Sequence, residues 1–448
     1  MRIAAALLVL SGCASPSGSG AGLAAATFAS DATPPIGHPL CGGWIKPVER
    51  VDAPLLVKGI VLSDGRTRYV VAAIDWCVLR TTARDAFLAR MARGAEVPVS
   101  QVTIHCTHTH SAPIADARAQ ELLAAAPKPP AHLDLAFLAA AAERAGAAVR
   151  DALARLRPFT HVGTGKAKVE EFASNRRVPG PDGKIRVRYS ATKDPALRAE
   201  PEGRIDPWLR TVTFFDGDAP LARLHFYASH PQSYYGDGAT HPDVPGQARE
   251  YLQEEEGVFQ VYFTGCAGDI TAGKYNDGSP ASRLRMSKQL YSGMIRSAGS
   301  TRKEPVSAIA WKTAAVAFPL RTEPAFAEAG YRKDLADPAA PGNRRLKAAL
   351  ALAWVERLKA RPEVEIARLR LGPADLLFLP GEAFVEYQLY AQERAPGRFV
   401  CTASYGEGGA GYICTDASLG EGGYEPTESY VGPPTEALLK KAIDELLR

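Results

Sequence analysis

The sequence of 448 residues predicts a mixed α/β fold, in which β-sheets are packed by helices within one large domain. Short β-like runs alternate with longer helical patterns, and no linker after residue 30 divides the chain. Hydrophobic residues make up 46% and charged residues 23%, a balance that excludes wholesale disorder, collagen-like repeats and coiled coils. No internal repeat is evident.

Both kinds of element are marked along the chain. Apolar and β-branched runs predict strands at Leu55–Leu62, Tyr69–Ile74, Gln101–Cys106, Leu221–Tyr227, Phe259–Phe263, Ala308–Ala317 and Ala374–Leu379. Apolar residues at helical spacing predict helices over 81–94, 135–156, 283–298 and 343–360. A last helix starts at Pro434 and Thr435, where a leucine-rich stripe begins.

The charge balance gives no sign of a nucleic-acid partner. Lys and Arg number 53 against 49 Asp and Glu, a net charge of +4, and the charges form no long run. An even distribution is typical of a solvated surface, whereas nucleic-acid binding needs a basic stripe. We therefore expect no nucleic acid among the partners.

The N-terminus is typical of an exported lipoprotein. Arg2 precedes the apolar run Ile3–Leu10, which is too short to cross a bilayer. The sequence Leu-Ser-Gly-Cys, ending at Cys13, is similar to the bacterial lipobox. We expect residues 1–13 to be a signal peptide that ends at a lipidated Cys13. Plain secretion after an ordinary cleavage site is the alternative.

The predicted organisation follows from this start. Residues 14–27 are small and form a flexible tether, and residues 28–448 form the folded domain. We then expect the protein in the bacterial cell envelope, held by its lipid at the outer membrane or the periplasmic face, or else secreted. Ala14 replaces the Asp that signals inner-membrane retention, which favours the outer membrane.

The remaining cysteines are even in number, so they can pair in an oxidising compartment. They are Cys41, Cys77, Cys106, Cys266, Cys401 and Cys414. Cys401 and Cys414 flank a glycine-rich loop that a disulfide between them would close. The pairing stays open, because sequence alone does not fix connectivity.

The candidate chemistry lies in the histidines. In an extended chain, His108 and His110 share a face with the apolar Val102 and Ile104, so a buried strand would deliver two imidazoles into a cavity. Such a pair can bind one metal, or divide the work between a ligand and an acid/base. An isolated pair of this kind is more often structural or exposed.

Other apolar runs also end in residues that bind metals. His230 and Glu382 each follow such a run, and a polar loop over 234–246 adds His241 and Asp243. Two histidines and a glutamate from distant strand ends suit a catalytic zinc site, which keeps one position for water. The plainer interpretation of Glu382 is a surface turn residue after Pro-Gly.

Matching segments along the chain resemble the neutral/alkaline, non-lysosomal ceramidase family, in its N-terminal catalytic domain. In order, they are Asp31–Gly37, Thr107–Ser111, Pro380–Glu382, Tyr412–Thr415 and Tyr424-Glu425. The resemblance covers residues 28 to 448. Matches in the right order along the whole chain are more specific than any one motif.

The resemblance implies a Zn²⁺ site. Its ligands fall on His108, His230, Glu382 and Tyr412. A phenolate ligand is chemically reasonable, because a metal ion lowers the pKa of a phenol beside it. His110 would steady the oxyanion or move a proton, and Tyr424 would assist at the same carbonyl.

The resemblance also suggests roles for residues outside the ligand set. Arg176 stands where the family has an arginine that helps hold the substrate, although Arg177 is an equal candidate and a solvated loop charge is equally well supported. Asp75 is a candidate for orienting an imidazole, and a structural role in a turn is favoured over it.

The implied reaction is hydrolysis of an N-acyl amide by zinc-bound water, in which ceramide gives a sphingoid base and a fatty acid. The expected substrate is therefore a lipid-like or acyl-amide small molecule, and the oligomeric state stays open. Two alternatives remain: a zinc hydrolase of another amide or ester, and a non-catalytic envelope lipoprotein that binds a ligand.

Departures from the family pattern limit the substrate prediction. Residues 112–115 read Ala-Pro-Ile-Ala where the family has Gly-Pro-Gly-Gly, and Gly265 and Arg177 each replace a serine. We also expect no counterpart of the family's C-terminal immunoglobulin-like domain. Zinc chemistry can survive these changes, but specificity for two extended acyl chains requires a long apolar groove.

Overall fold

The computed structural model describes residues 22–448. Its α-helices are α1 (Thr81–Ala95), α2 (Ala117–Ala124), α3 (Leu135–Leu153), α4 (Pro195–Ala199), α5 (Asp243–Glu256), α6 (Pro280–Gly299), α7 (Glu328–Ala336), α8 (Gly342–Ala360), α9 (Val385–Arg394), α10 (Asp416–Glu421) and α11 (Thr435–Leu447).

The strands of the first half are β1 (Ala24–Asp31), β2 (Arg50–Val51), β3 (Leu56–Ser63), β4 (Arg68–Ile74), β5 (Val78–Arg80), β6 (Val102–Cys106), β7 (Ile114–Asp116), β8 (Arg157–Pro158), β9 (His161–Lys168), β10 (Ser174–Asn175), β11 (Arg177–Pro179), β12 (Ile185–Val187), β13 (Trp208–Asp216) and β14 (Ala219–Tyr227). The strands of the second half are β15 (Ala239–Thr240), β16 (Phe259–Thr264), β17 (Ile270–Thr271), β18 (Arg302–Pro305), β19 (Ile309–Ala317), β20 (Glu363–Leu371), β21 (Ala374–Phe378), β22 (Glu382–Ala383), β23 (Phe399–Ala403) and β24 (Tyr412–Ile413).

Three larger sheets share one internal pattern. Their strand orders are β6-β4-β3-β1-β8, β16-β14-β13-β9-β18 and β19-β20-β21-β23. In each sheet one edge pair is parallel (β4/β6, β14/β16 and β21/β23) and the other pairs are antiparallel. A parallel pair needs a crossover, and α1, α5 and α9 supply one to each sheet. The mixed α/β prediction is confirmed, and the structure adds a threefold repetition that the sequence does not reveal.

The three parallel edge strands meet at their carboxyl ends. The amide of Ser404 donates to the carbonyl of Thr264 at 2.9 Å, and the amide of Cys106 donates to the carbonyl of Tyr405 at 3.0 Å. The hydroxyl of Thr264 donates to the carbonyl of Thr107 at 2.7 Å. Side chains that follow these strands are therefore brought to one place from distant parts of the chain.

The cores explain why the sheets stay together. Apolar residues from the inner faces of all three sheets form one central cluster, which includes Ile60, Val212 and Leu369. Helices cover the outer faces, with α1 and α3 on the first sheet. These two helices approach closely, since a Cβ on Gly94 would lie 2.2 Å from the carbonyl oxygen of Gly146.

The predicted elements are confirmed, with ends that agree within three residues. The runs predicted as strands are β3, β4, β6, β14, β16, β19 and β21, and the predicted helices are α1, α3, α6, α8 and α11. The predicted polar loop over 234–246 is wrong at its end, because α5 already begins at Asp243.

The N-terminal boundary needs a correction. The predicted tether, residues 14–27, overlaps β1, which pairs antiparallel with β3 from Ala24 onward. Small side chains are compatible with a β-strand when a neighbouring strand satisfies its backbone hydrogen bonds. Composition alone does not show that a neighbouring strand is present. The predicted signal peptide, Cys13 and the rest of the tether lie outside the described residues.

The cysteines of the described residues are all free thiols and all buried. The disulfide that the sequence allows between Cys401 and Cys414 does not form. Cys401 belongs to the central core between the sheets, whereas Cys414 packs in the core beneath α8 and α9. Within residues 22–448, none of the helices combines the length and apolar character needed to cross a membrane.

Candidate metal centre

Each of the three sheets contributes one side chain to a single cluster. His108 follows β6, His230 follows β14 and Glu382 follows β21. Tyr412 joins them through the short parallel pair β22/β24, in which it is the register partner of Glu382. The four residues that the resemblance marks as ligands are thus brought together by the topology.

The distances within the cluster fit one ion. The Nε2 atoms of His108 and His230 are 3.1 Å apart. Oε2 of Glu382 lies 3.2 Å from Nε2 of His108 and 3.3 Å from Nε2 of His230. The hydroxyl oxygen of Tyr412 lies 3.4 Å from Nε2 of His230. Ligands on a tetrahedral zinc ion with bonds of about 2.0–2.1 Å are about 3.3–3.4 Å apart.

Backbone carbonyls orient the two imidazoles. Nδ1 of His108 lies 2.8 Å from the carbonyl oxygen of Cys77, and Nδ1 of His230 lies 2.7 Å from that of Ala267. Because a carbonyl oxygen only accepts, each Nδ1 is the protonated nitrogen and each Nε2 presents a lone pair to the cluster.

The resulting cluster consists of acceptors that face one another. Burial lowers the pKa of His230 to about 4, so its Nε2 carries no proton at neutral pH. Oε2 of Glu382 is buried and has no hydrogen-bond partner. Buried acceptors without donors are costly, and a cation among them removes that cost. The donor set of nitrogen and oxygen atoms suits Zn²⁺.

Backbone conformation brings His108 and His110 to the same side. The sequence predicts this through an extended strand, but β6 ends at Cys106 and His108 adopts a left-handed φ of 66°. Tyr405, with a φ of 63°, stacks its ring on His108 at 4.3 Å. Left-handed conformations are strained in residues other than glycine and are concentrated at functional sites.

His110 has fewer hydrogen bonds to fix its ring than His108 and His230. It is half-buried, and its Nε2 lies 3.3 Å from Nε2 of His108. Its Nδ1 has only the thiol of Cys41 nearby, at 3.7 Å, and no carbonyl fixes its tautomer. His110 can therefore carry a proton on either nitrogen beside the cluster.

The structure distinguishes between the two candidate arginines, Arg176 and Arg177. Arg176 is buried, with its guanidinium carbon 4.9 Å from the ring centre of Tyr412 and 5.3 Å from that of Tyr424. Its Nε donates to Glu425 at 2.6 Å. Arg177 binds the other oxygen of the same carboxylate at 2.7 Å. Arg176 is the one placed beside the cluster, and it is not a solvated loop charge.

The charge of Arg176 bears on the phenol of Tyr412. Burial raises the pKa of Tyr412 well above its ordinary value, while the neighbouring guanidinium acts in the opposite direction. A buried cation beside a phenol favours the phenolate, which is the form that ligates a metal. Tyr424 packs edge-on against Tyr412, with ring centres 5.8 Å apart, and is half-buried.

Asp75 does not orient an imidazole. Both of its carboxylate oxygens accept from Arg249, at 3.0 and 2.9 Å, and the amide of Leu56 donates to it at 3.0 Å. The carbonyls of Cys77 and Ala267 orient the histidines instead. Nothing in a sequence marks a backbone carbonyl for this task, so side-chain reasoning missed it.

The polar loop residues also lie apart from the cluster. Asp243 accepts hydrogen bonds from the amides of Ser233 and Tyr234, at 2.9 and 2.8 Å. His241 stacks on the ring of Tyr234 at 3.7 Å. Both residues hold the loop in place at the start of α5.

A cavity of about 570 Å³ opens onto the cluster. His110, Glu382, Tyr412 and Tyr424 lie in its wall. Further lining residues are apolar (Trp44, Val78, Ile114, Leu350) or charged (Arg80, Arg344, Lys347, Glu428). Its size is in the range of small-molecule sites, about 300–1,000 Å³. The mixed lining offers both an apolar wall and ionic contacts.

Two solved structures with the same architecture are ceramidases. A ceramidase complexed with C2 superposes with a TM-score of 0.70 at 17% identity, covering 95% of this chain and 75% of that one. The chain has a neutral-ceramidase-like fold. The neutral ceramidase from Pseudomonas aeruginosa gives a TM-score of 0.69 at 17% identity, with 95% and 74% covered. No protein-family model and no curated protein matches the sequence.

Proposed function

We propose that this protein is a zinc-dependent hydrolase that cleaves an N-acyl amide bond in the manner of a ceramidase. The observation that carries the proposal is the set of buried, mutually facing acceptors of His108, His230 and Glu382 at the wall of a cavity. The ceramidase-like hydrolase fold supports the same reaction class.

In this proposal, His108, His230, Glu382 and Tyr412 hold the ion. A zinc ion bound there supplies Lewis acidity at a carbonyl oxygen and lowers the pKa of water toward about 7. The protein's own contribution is orientation. The carbonyls of Cys77 and Ala267 fix the imidazoles, and the buried Arg176 favours the ionised phenol.

Proton transfer falls to His110. It is the imidazole of the cluster without a carbonyl partner, and it reaches the cavity. It takes a proton from the attacking water and returns one to the leaving amine, while Tyr424 donates to the developing oxyanion. Arg176 then acts through Tyr412, rather than by touching the substrate.

The substrate proposed is a linear acyl amide with a polar head group. The apolar wall of the cavity suits an acyl chain, and the charges of Arg344, Lys347 and Glu428 suit a polar group. Because charged residues line the cavity, hydrolysis of another amide or ester, such as an N-acyl amino acid, is the second candidate. Lipidation of Cys13 and a place in the cell envelope belong to the proposal, and mass spectrometry of membrane-extracted protein tests them.

The decisive experiment measures zinc and turnover together. The purified full chain is assayed for zinc per chain and for hydrolysis of ceramide and of shorter acyl amides. His108→Ala is expected to lose about one zinc ion per chain and its activity, on the order of a thousandfold or more. His105→Gln is the matched control, since His105 lies in the same segment but binds Ser404 and Thr103 instead.

Three outcomes separate the alternatives. Turnover of ceramide supports the ceramidase-like reaction, and turnover of short acyl amides alone selects the second candidate. Absence of zinc from the wild type and from both variants, with no turnover, overturns the hydrolase proposal in favour of a ligand-binding lipoprotein.

A further inference from the structure

A second group of metal-ligand atoms lies in the same cavity, on the far side of His110. Sγ of Cys41, Sγ of Cys77 and a ring nitrogen of His110 all lie within 4.8 Å of one another. Sγ of Cys41 is 3.7 Å from Nδ1 of His110. The two groups share His110, because its Nε2 lies 3.3 Å from Nε2 of His108, and His108, His110 and His230 also have ligand atoms within 4.8 Å of one another. The two thiols belong only to the second group.

The chain holds both thiols in place from one short segment. The amide of Cys41 donates to the carbonyl of Ala112 at 2.7 Å, and the amide of Cys77 donates to that of Pro113 at 3.0 Å. The segment that carries His110 therefore also positions both cysteines. Cys41 adopts a left-handed φ of 45°, followed by Gly42 at 68°. A strained residue persists where the surrounding structure fixes it, and such residues are concentrated at binding sites.

The other buried cysteines have different surroundings. All six cysteines pack in apolar cores, but Cys106, Cys266, Cys401 and Cys414 do not line the cavity. Cys41 and Cys77 line the cavity together with His110. A pair of thiols beside an imidazole is the donor set that soft and borderline cations prefer.

The spacing suits a tetrahedral ion. With bonds of about 2.3 Å to sulfur and about 2.0–2.1 Å to nitrogen, the sulfur and nitrogen ligands of zinc lie about 3.6 Å apart. The observed 3.7 Å between Cys41 and His110 agrees with this value. Binding of a cation there displaces the thiol protons.

We infer that Cys41, Cys77 and His110 form a second site, for a soft or borderline divalent cation such as Zn²⁺ or Cd²⁺. Each thiol releases one proton on binding, and no electron transfer takes place. The three residues line the cavity, from which water or a ligand would complete the coordination. Access is through the cavity, because both thiols are buried from the outer surface.

Occupation of this site has a consequence for catalysis, which rests on the proposed function. An ion on Nδ1 of His110 prevents that nitrogen from carrying a proton and fixes the ring. Zinc beyond the first equivalent is therefore expected to inhibit amide hydrolysis reversibly, and the inhibition is lost when the thiols are removed.

The test titrates Cd²⁺ into purified full-length protein kept reduced with a phosphine, and it follows the ultraviolet thiolate-to-cadmium charge-transfer absorption. The wild type is expected to show one equivalent of this absorption. Cys41→Ser and Cys77→Ser are each expected to weaken the binding by about tenfold or more. Cys401→Ser, a buried thiol outside the cavity, is the matched control and keeps the full signal.

A further variant tests the second site independently of the proposed function. His108→Ala removes a ligand of the first cluster but leaves both thiols, so it retains the charge-transfer signal even where zinc-dependent activity is lost. The inference is overturned by a wild type without the absorption, or by a double serine variant that folds with an unchanged melting temperature and keeps it.

Discussion

Two histidines near the end of β14, five positions apart in the sequence, are buried equally but used differently. His225 lies within the strand, with Nδ1 2.8 Å from the hydroxyl of Thr211 and Nε2 2.8 Å from the amide oxygen of Gln260. His230 lies beyond the strand, with one nitrogen on the carbonyl of Ala267 and the other facing the cluster. Burial lowers the pKa of each to about 4. Burial and pKa therefore do not distinguish a structural histidine from a proposed ligand.

The same contrast occurs in the first sheet. His105, within β6, has Nε2 at 2.9 Å from the hydroxyl of Thr103 and Nδ1 at 2.7 Å from the carbonyl of Ser404. His108, just after β6, leaves its Nε2 to the cluster. In both pairs, the proposed ligand is the histidine whose second nitrogen has no neutral partner. The histidine within the strand has neutral partners on both nitrogens, and the histidine beyond the strand end does not.

Removal of His230 is expected to have the largest effect. His230→Ala should lose about one zinc ion per chain and reduce amide hydrolysis by about a thousandfold or more. His225→Gln should keep both, because it lies outside the cluster. Metal analysis of the two purified variants side by side checks this difference. Equal zinc contents in the two variants would contradict the distinction.

For the free energy of unfolding, the substitution of His225 is expected to have the larger effect. His225→Leu removes the imidazole that pairs with the hydroxyl of Thr211 and with the amide oxygen of Gln260. That oxygen is left unpaired, and the hydroxyl keeps only the bond that Ser297 donates to it, which together costs about 2–4 kcal/mol. Its zinc content should not change. Urea unfolding monitored by circular dichroism gives the free energy of unfolding. A loss below about 0.5 kcal/mol would show that burial alone, and not the paired nitrogens, holds His225 in the strand.

The pH dependence of the free energy of unfolding tests the burial of His225 in a second way. The pKa of His225 is about 4 in the folded state against 6.5 for an ordinary histidine. Between these values the unfolded chain binds a proton that the folded chain does not, so stability is full above pH 6.5 and falls as the pH drops toward 4. The loss amounts to about 3 kcal/mol, at about 1.4 kcal/mol per pKa unit. His225→Gln should flatten the unfolding free energy over this range by that amount, and an unchanged slope would contradict the assignment.

Sequence reasoning singled out residues at which apolar runs end in polar side chains. His108, His230 and Glu382 each follow a run that is recognisable by itself, and the structure brings these strand ends together. Their convergence follows from the threefold repetition of the sheets, which no sequence periodicity shows. Tyr412 was reached only through the resemblance, because its two-residue strand carries no pattern of its own.

One strand that the sequence did not predict, β9, was missed for a physical reason. β9 reads His-Val-Gly-Thr-Gly-Lys-Ala-Lys, and its glycines suggest a loop. They are needed because a neighbouring helix lies against this strand: a Cβ on Gly165 would lie 2.1 Å from the carbonyl oxygen of Ser297. Such a requirement arises from residues more than a hundred positions away and is invisible locally. The partner of Asp75, Arg249 on α5, is hidden from the sequence for the same reason.

Tyr405→Phe is expected to have the smallest effect. The ring of Tyr405 stacks on His108, but its hydroxyl is buried and has no hydrogen-bond partner. Removing an unpaired buried hydroxyl while keeping the ring should leave the zinc content unchanged and shift the free energy of unfolding by no more than about 1 kcal/mol, toward greater stability. Tyr405→Ala, which removes the stacked ring as well, is the contrasting variant. A loss of zinc or activity in Tyr405→Phe would instead assign the hydroxyl to the cluster, and the test of an unpaired buried polar atom, which Oε2 of Glu382 also meets, would then extend to Tyr405.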